Sequence, residues 1–401
     1  MGNWKIKFAV IWSGQAVSIF TSAVLQMALI WHLAIETESA LILSLASIAG
    51  FLPMAVLGTF AGALVDRWNR KLAMIGADLF IAAVSLGLVV FTLFAEPPLW
   101  FILMVLFLRS TGTAFHSPAI SAVTPLIVPE AYLAKCAGYT QSLQTLGFIV
   151  GTSVAAILYP LWGITGMVAL DVAGAVIASV TVAAVSIPSL PKTEQEKRQN
   201  LITEIKDAFG IFKTHKGLFA FLWIGAAFTF FFAPVNALFP LMSMGHFGGT
   251  TSQAAIAEIT FASGMMIGGL ILGIWGGFKN RGVTLFASIA LLGAAIGISG
   301  LLPAGGFVIF AGLSLLMGFS APFFNGTQIA LMQEKISPEY LGRVFGLYGS
   351  VLSGTMLLGL IVSGLSADAF GVNTWFFISG AVILLISIVT ILMPSIRNID
   401  K

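Results

Sequence analysis

Charged residues are scarce in this sequence, and their scarcity excludes a water-soluble globular protein. Asp, Glu, Lys and Arg together make up 9% of the 401 residues, whereas hydrophobic residues make up 58%. A soluble domain needs far more charge on its surface. Cysteine is nearly absent too, and the single residue, Cys136, excludes a disulfide within the chain. We therefore predict a protein whose solvent is the lipid bilayer.

The sequence also lacks two kinds of pattern: the phosphate-binding loop of ATP-driven pumps and the clustered polar residues of a catalytic or metal site. No G-x-x-x-x-G-K-[ST] loop is present to hold the phosphates of ATP. No set of Cys, His and carboxylate residues is clustered so as to bind a metal or to form a nucleophile–base pair. We predict that the protein is not an enzyme and that it carries neither a cofactor nor a metal.

Long apolar segments, in contrast, recur along the whole chain. A helix needs roughly 20 apolar residues to cross a hydrocarbon core of ~30 Å, and such runs exclude the alternating strands of a barrel. We predict an all-α polytopic membrane protein. Its twelve transmembrane helices are expected at 8–33, 41–65, 72–95, 99–125, 137–160, 164–187, 217–240, 255–278, 282–302, 307–332, 344–367 and 374–394.

Lysine and arginine are distributed unevenly between the two ends of these segments. All but one of the 19 Lys and Arg residues fall in the termini or in the loops that follow even-numbered segments. Loops rich in Lys and Arg stay in the cytoplasm, so we predict that both termini are cytoplasmic. The net charge of +3 reflects this bias and does not indicate nucleic-acid binding.

The first six segments resemble the last six. Asn69-Arg70, after the second segment, recurs as Asn280-Arg281 after the eighth, and the run PEAYLAK after the fourth recurs as PEYLGR after the tenth. We predict two pseudo-symmetric six-helix bundles, 1–187 and 217–401, joined by a polar cytoplasmic linker at 188–216. Two parallel repeats imply a substrate site between them near the membrane midplane.

The loop between the second and third segments carries a motif. It reads GALVDRWNRK and fits G-x-x-x-D-R-x-x-R-K, the signature of the major facilitator superfamily, which the whole chain resembles. Gly62 lets two helices approach closely, and the Asp66 carboxylate can bind a facing helix N-terminus or an arginine. The resemblance implies that this loop, with Arg67, Arg70 and Lys71, gates the cytoplasmic opening. Alternatively, its basic residues only anchor the topology.

Further runs in both halves resemble the bacterial macrolide efflux proteins, a group of drug:proton antiporters. These runs are NWK at 3–5, WSGQAVS at 12–18, IGADL at 75–79, RSTGTAFH at 109–116, KCAGY at 135–139 and EYLGRVF at 339–345. The antiporter element G-x-x-x-G-P is altered here, since Thr152 follows Gly151 in place of proline.

This resemblance implies secondary active export of hydrophobic drugs, with macrolides as substrates, in exchange for protons and by alternating access. It also implies a location in the cytoplasmic (inner) membrane of a bacterium. Two alternatives remain open: a facilitator or symporter of a metabolite with the same fold, and the membrane subunit of a larger export complex.

Four ionisable residues within the predicted helices are candidates for proton coupling: Arg109, Asp78, Asp171 and Glu258. A charge at the bilayer centre costs at least ~2.5 kcal/mol, so each should face protein or water. Arg109 matches the R-x-x-G element of the antiporters, and Asp78 is its expected partner by depth. Glu258 is expected in the first turns of the eighth helix, where a carboxylate is favoured. Packing or interfacial roles are the alternative for these residues, and we expect His116 to have a packing role.

Two groups of residues are candidates for substrate binding. Gln15, Ser18, Ser22 and Gln26 fall within an arc of about 80° on the first helix, so they should face a cavity or another helix. The second half contributes Phe228, Phe232, Asn236, Phe323 and Asn325. Aromatic walls with scattered amides suit a bulky amphiphilic ligand. Alternatively, the phenylalanines face lipid.

Overall fold

The computed structural model describes residues 4–129, 132–187, 209–210, 216–336 and 338–394, which form helices joined by short connections and contain no strand. Its long helices are α1 (Trp4–Thr37), α2 (Ala40–Arg67), α3 (Arg70–Thr92), α4 (Leu99–Ile127), α5 (Leu133–Ala184), α6 (Lys216–Ala237), α7 (Thr251–Trp275), α8 (Arg281–Leu301), α9 (Phe307–Lys335), α10 (Pro338–Phe370) and α11 (Val372–Leu392). Each contains a stretch that is long and apolar enough to cross a membrane. The predicted all-α polytopic fold is confirmed. Most of the predicted linker, 188–216, lies outside the described residues.

Helix α5 accounts for two membrane passes. Its 52 residues extend over about 78 Å at ~1.5 Å per residue, more than twice the thickness of a hydrocarbon core. Inside it, Gly163 has φ 59° and ψ −168°, which is not helical. A Cβ atom on Gly151 would meet Ala23 of α1, and one on Gly174 would meet Thr21. Both parts of α5 therefore lie beside the same turn of α1, and the chain reverses at Gly163. With this reversal, the described residues contain twelve passes, as predicted.

The chain divides into two compact units. Unit 1 comprises Met1–Thr37 and Leu45–Glu194, and unit 2 comprises Glu38–Ser44 and Gln195–Lys401. In unit 1, α1 packs along both passes of α5, and α3 packs against α4 and α5. In unit 2, the main pairs are α8 with α11, α7 with α9, and α6 with α10.

Glycines allow α7 and α9 of unit 2 to pack with their backbones in close contact. A Cβ atom on Gly264 would lie 2.1 Å from the carbonyl oxygen of Leu315, and one on Gly318 would lie 1.8 Å from that of Phe261. No side chain fits at either position. Backbone-to-backbone packing of this kind is typical of membrane helices, where small residues form the interface.

The first turn of α2 is held within unit 2 by Asp368 of α10. One carboxylate oxygen of Asp368 accepts the backbone N–H of Ala40. The other accepts the Ser39 hydroxyl at 2.7 Å and the backbone N–H of Leu41 at 3.3 Å. A helix start has free N–H groups and a partial positive charge, so a carboxylate there satisfies both.

Corresponding helices of the two halves begin in the same way. The Asn69 side chain caps α3 by accepting the backbone N–H groups of Lys71 and Leu72 at 3.1 and 3.3 Å. Asn280 caps α8 by accepting those of Gly282 and Val283 at 2.8 and 3.4 Å. The repeat seen in the sequence therefore has a structural counterpart at these two caps.

Candidate functional site

Unit 1 contains a cluster of polar side chains in its interior, which we call the polar network. Its members are Gln15 and Ser22 of α1, Asp78 and Ser85 of α3, Arg109 and His116 of α4, and Asp171 of α5. Arg109 is only 6% exposed and Asp171 only 1% exposed, so solvent contributes little to their solvation. Buried charges of this kind need partners supplied by the protein.

The network has two layers because its members are spaced by seven residues on three helices. Seven residues make almost two full turns, so residues so spaced share a face about 10.5 Å apart along the axis. The first layer contains Gln15, Asp78 and His116, and the second contains Ser22, Ser85, Arg109 and Asp171. Helix α4 runs opposite to α1 and α3, so its later residue, His116, lies in the same layer as the earlier residues of the other two.

In the second layer, which we call the arginine layer, Asp171 receives donors from three other helices. Arg109 pairs with both of its carboxylate oxygens, through Nη1 to Oδ2 and through Nη2 to Oδ1 at 3.4 Å. The Ser22 hydroxyl donates to Oδ1 at 2.7 Å, and the Ser85 hydroxyl donates to Oδ2 at 3.0 Å. The Arg109 guanidinium also donates to the Ser85 hydroxyl. The Asp171 carboxylate therefore links α5 to α1, α3 and α4. Its contact with Arg109 of α4 is the forked, charge-assisted one.

In the first layer, which we call the histidine layer, Asp78 lies between an amide and an imidazole. Gln15 donates from Nε2 to Oδ2 of Asp78 at 3.3 Å. Nε2 of His116 lies 3.2 Å from Oδ1, which is within ion-pair distance, although the contact lacks hydrogen-bond geometry. Asp78 itself is 3% exposed.

The expected Arg109–Asp78 pair is not formed, because the two residues lie at different depths. At ~1.5 Å per residue, Arg109 is about 27 Å from the end of α4 at Ile127, whereas Asp78 is about 12 Å from the start of α3 at Arg70. Arg109 instead pairs with Asp171. The sequence-based estimate placed Arg109 too close to the end of its helix.

The residues at the basic end of unit 1 bind helix ends. Arg70 donates to the carbonyl oxygen of Ala122 at 3.2 Å. Lys71 donates to those of Ala183 and Val185 at 2.6 and 2.9 Å, where α5 ends. Such contacts satisfy terminal carbonyl groups and complement the negative end of a helix.

The other members of the predicted gating motif are Gly62, Asp66 and Arg67. The structure describes the α2 backbone at these positions but not the surroundings of their side chains. Gating by this loop stays a prediction.

The polar stripe predicted on α1 faces the other helices of unit 1. Gln15 and Ser22 belong to the polar network, whereas Ser18 and Gln26 are half-buried on the same helix. The structure therefore connects two of the four candidate substrate residues with carboxylates. Substrate binding by all four stays a prediction.

The candidates in unit 2 do not form one group. Phe228 packs on Phe232, with ring centroids 5.2 Å apart, and on Phe324 at 4.2 Å. Phe323 packs instead near Trp275, at 6.1 Å. Phe324, and not Phe323, is therefore the residue that contacts Phe228. Adjacent residues on a helix point about 100° apart, and the sequence alone did not show which phenylalanine faces α6.

The three remaining predicted site residues of unit 2 are two asparagines and a glutamate. Asn236 and Asn325 are exposed on their helices. Glu258 is half-buried in α7, which begins at Thr251, earlier than predicted, behind a capping box formed by Thr250 and Gln253. Glu258 is therefore about two turns inside the helix, beyond the first turn where the helix dipole acts.

Comparisons with known proteins place this architecture in a family. The sequence profile of the Major Facilitator Superfamily matches residues 11–357. The chain is 53% identical to macrolide efflux protein A of Streptococcus pyogenes, over 99% of this chain and 98% of that protein. It is 52% identical to macrolide efflux protein A of Enterococcus faecalis, over 80% of this chain and 99% of that one.

The fold is also that of a solved transporter. The crystal structure of the nucleoside transporter NupG aligns with a TM-score of 0.76, at 14% identity, over 97% of this chain and 98% of that chain. With the family profile and the full-length relatives, this likeness shows that the chain, a multi-pass membrane protein, belongs to the Major Facilitator Superfamily of small-molecule transporters.

Proposed function

We propose that this protein exports macrolide antibiotics across the cytoplasmic membrane of a bacterium in exchange for protons. The substrate class is supported by the 53% identity to macrolide efflux protein A over nearly the whole length of both chains. The aromatic contacts of Phe228 with Phe232 and Phe324 suit a large apolar ligand.

The polar network is the observation that supports the coupling of export to protons. Charges inside a membrane protein are expensive and are generally kept for function. Here an arginine and two carboxylates lie buried within one six-helix unit, without a metal-binding cluster among the described residues. Such a set can bind and release a proton while the helices around it change their packing.

The orientation that we propose follows from the positive charges at one end of unit 1. Lys7 donates to the carbonyl oxygen of Ser186 at 3.0 Å, and Lys71 donates to that of Val185, so these lysines lie at the same end. The positive-inside rule puts this end, and with it the N-terminus, in the cytoplasm, and twelve passes return the C-terminus to the same side of the membrane. The histidine layer is then nearer to the cytoplasm than the arginine layer.

The proposal is tested by drug accumulation in proteoliposomes that contain only this protein. With an acidic interior, we expect erythromycin to accumulate inside and to leave again when a protonophore is added. Macrolides are weak bases that collect passively in acidic compartments, so protein-free liposomes with the same gradient are the control.

Accumulation no greater than in these protein-free liposomes, from protein shown to be folded, would contradict the proposal. Erythromycin that equilibrates rapidly but never accumulates would indicate a facilitator. Accumulation that needs an added membrane extract would indicate a subunit of a larger export complex.

A further inference from the structure

We propose that Asp78 and His116 together hold the proton that the protein exchanges for its substrate, with Gln15 as the hydrogen-bond donor that positions the carboxylate. This inference rests on the proposed proton-coupled export and deepens it. It assigns the proton to one layer of the polar network, and it gives His116 a function beyond packing.

The net charge of the polar network depends on the histidine layer. Arg109 carries a permanent positive charge, because a guanidinium does not lose its proton in proteins. It compensates Asp171, with which it forms a forked pair. Among the described residues, Asp78 has no such permanent cation within ion-pair distance, only the imidazole of His116. The network is therefore electrically neutral when the Asp78–His116 pair holds one proton.

The proton has two acceptors in the histidine layer. Oδ1 of Asp78 and Nε2 of His116 lie 3.2 Å apart. A proton on either atom gives a neutral pair overall, as carboxylic acid with imidazole or as carboxylate with imidazolium. Loss of that proton leaves an uncompensated carboxylate in a site that is 3% exposed, which is unfavourable. Proton loss therefore favours a rearrangement of the helices around Asp78.

The two acceptors differ in their exposure to solvent. The side chain of His116 is 17% exposed, whereas that of Asp78 is 4% exposed. Solvent protons therefore reach the imidazole first, and the carboxylate receives them through it. The step is a reversible transfer in which water protonates the imidazole and the buried Nε2 passes one proton to Oδ1 of Asp78, so that the imidazole is neutral again. The reverse transfer releases a proton to water from the conformation that opens to the other side of the membrane.

The groups that face Asp78 come from three described helices. They are Gln15 of α1, His116 of α4 and, acting electrostatically from further away, Asp171 of α5. Arg109 is committed to Asp171 in the other layer. Gln15 shares a face of α1 with Ser22, which donates to Asp171. Helix α1 thus contacts both carboxylates, so a shift of α1 changes the hydrogen bonds of Asp78 and of Asp171.

The assignment is tested first without any drug. In purified protein labelled with ¹⁵N-histidine, the sequence offers four imidazoles to resolve, and His116→Gln identifies the signal of His116. We expect the pH at which His116 titrates to change by at least about one unit in Asp78→Asn, because strongly interacting groups titrate as a pair.

The control residue for this titration is His32, whose Nδ1 lies 3.2 Å from the Tyr159 hydroxyl, away from Asp78. Its signal, identified with His32→Gln, should titrate alike in wild-type protein and in Asp78→Asn. An unchanged titration of His116 in Asp78→Asn would overturn the proposal. So would an equal change at His32, because it would show an effect on the whole protein.

A second measurement adds erythromycin to the weakly buffered protein and follows proton release with a pH indicator. The wild type and His32→Gln should release protons on binding. His116→Gln should do so over a different pH range, and Asp78→Asn should bind the drug without releasing any. Release from Asp78→Asn equal to that of the wild type would overturn the assignment. Binding without release by the wild type would instead contradict the proposed exchange, and it would leave the histidine titration as the separate test of the pair.

Discussion

Arg109 of α4 and Asp171 of α5 form a forked ion pair in the interior of unit 1. Two serine hydroxyls, from Ser22 and Ser85, complete the set of donors around the carboxylate. The pair joins residues that are 62 positions apart in the sequence, and it lies where water contributes little. Its loss should therefore affect both the stability of unit 1 and the transport reaction.

Replacing Arg109 separates these two effects. We expect Arg109→Ala to abolish gradient-driven export and to lower stability by about 3 kcal/mol, because it leaves Asp171 buried without its partner. Removing both charges, in Arg109→Gln combined with Asp171→Asn, should recover most of the stability and none of the export. Thermal unfolding followed by tryptophan fluorescence measures the first effect, and drug accumulation measures the second. Full export by Arg109→Ala would remove this residue from the mechanism.

Ser22 and Ser18, the two serines of the polar stripe on α1, should respond differently to replacement by alanine. Ser22→Ala loses a 2.7 Å hydrogen bond to a charged group, and such bonds contribute about 1.5–3 kcal/mol. Ser18→Ala, one turn earlier, removes no contact with Asp171 and serves as the matched control. We expect lower thermal stability for Ser22→Ala only. Equal effects of the two substitutions would show that the contact with Asp171 does not matter.

The chain reversal in α5 should depend on glycine. Gly163 has φ 59° and ψ −168°, a region that is almost closed to other residues, so Gly163→Ala should cost about 1–3 kcal/mol. Gly76→Ala is the control, because no atom lies within 4 Å of a Cβ atom there. Thermal unfolding in detergent compares the two variants. A Gly163→Ala protein as stable as Gly76→Ala would contradict the described reversal.

The contact of Asp368 with the first turn of α2 should be visible in hydrogen exchange. Asp368→Ala removes the acceptor of the N–H groups of Ala40 and Leu41, and lost caps typically cost about 1 kcal/mol. We expect faster amide exchange at residues 40–42, measured by mass spectrometry. Ser366→Ala, in the last two turns of α10, should leave that exchange unchanged. Equal exchange in Asp368→Ala and the wild type would show that the cap does not stabilise the helix start.

The sequence was sufficient to predict the number of passes and the repeat. Apolar length decides the passes, and the repeated Asn69 and Asn280 proved to be equivalent helix caps. Even the hidden boundary in α5, predicted between 160 and 164, was placed within a few residues of Gly163.

The partners within the network could not be read from the sequence. They depend on depth, and Arg109 was assigned to the wrong carboxylate because it was taken to lie as close to its helix end as Asp78 does. One signal was present and was not used. Gln15 and Ser22, Asp78 and Ser85, and Arg109 and His116 are each seven residues apart, a spacing that places each pair on one face.

The unit 2 candidates show a second kind of limit. Phe323 and Phe324 are chemically identical neighbours, and only packing decides that Phe324 is the one that contacts Phe228. The early start of α7 was likewise signalled by Thr250 and Gln253, a capping box that the hydropathy-based boundary overlooked.

The most direct test of proton-coupled export uses a gradient of the drug to move protons, instead of a gradient of protons to move the drug. In proteoliposomes with no imposed pH gradient, an outward gradient of erythromycin should move protons inward through the wild-type protein. A pH indicator trapped inside would report the change, after subtraction of the signal from protein-free liposomes. We expect a proton flux from the wild type and His32→Gln and none from Asp78→Asn. Erythromycin movement through the wild-type protein without any proton flux beyond the protein-free signal would contradict the account.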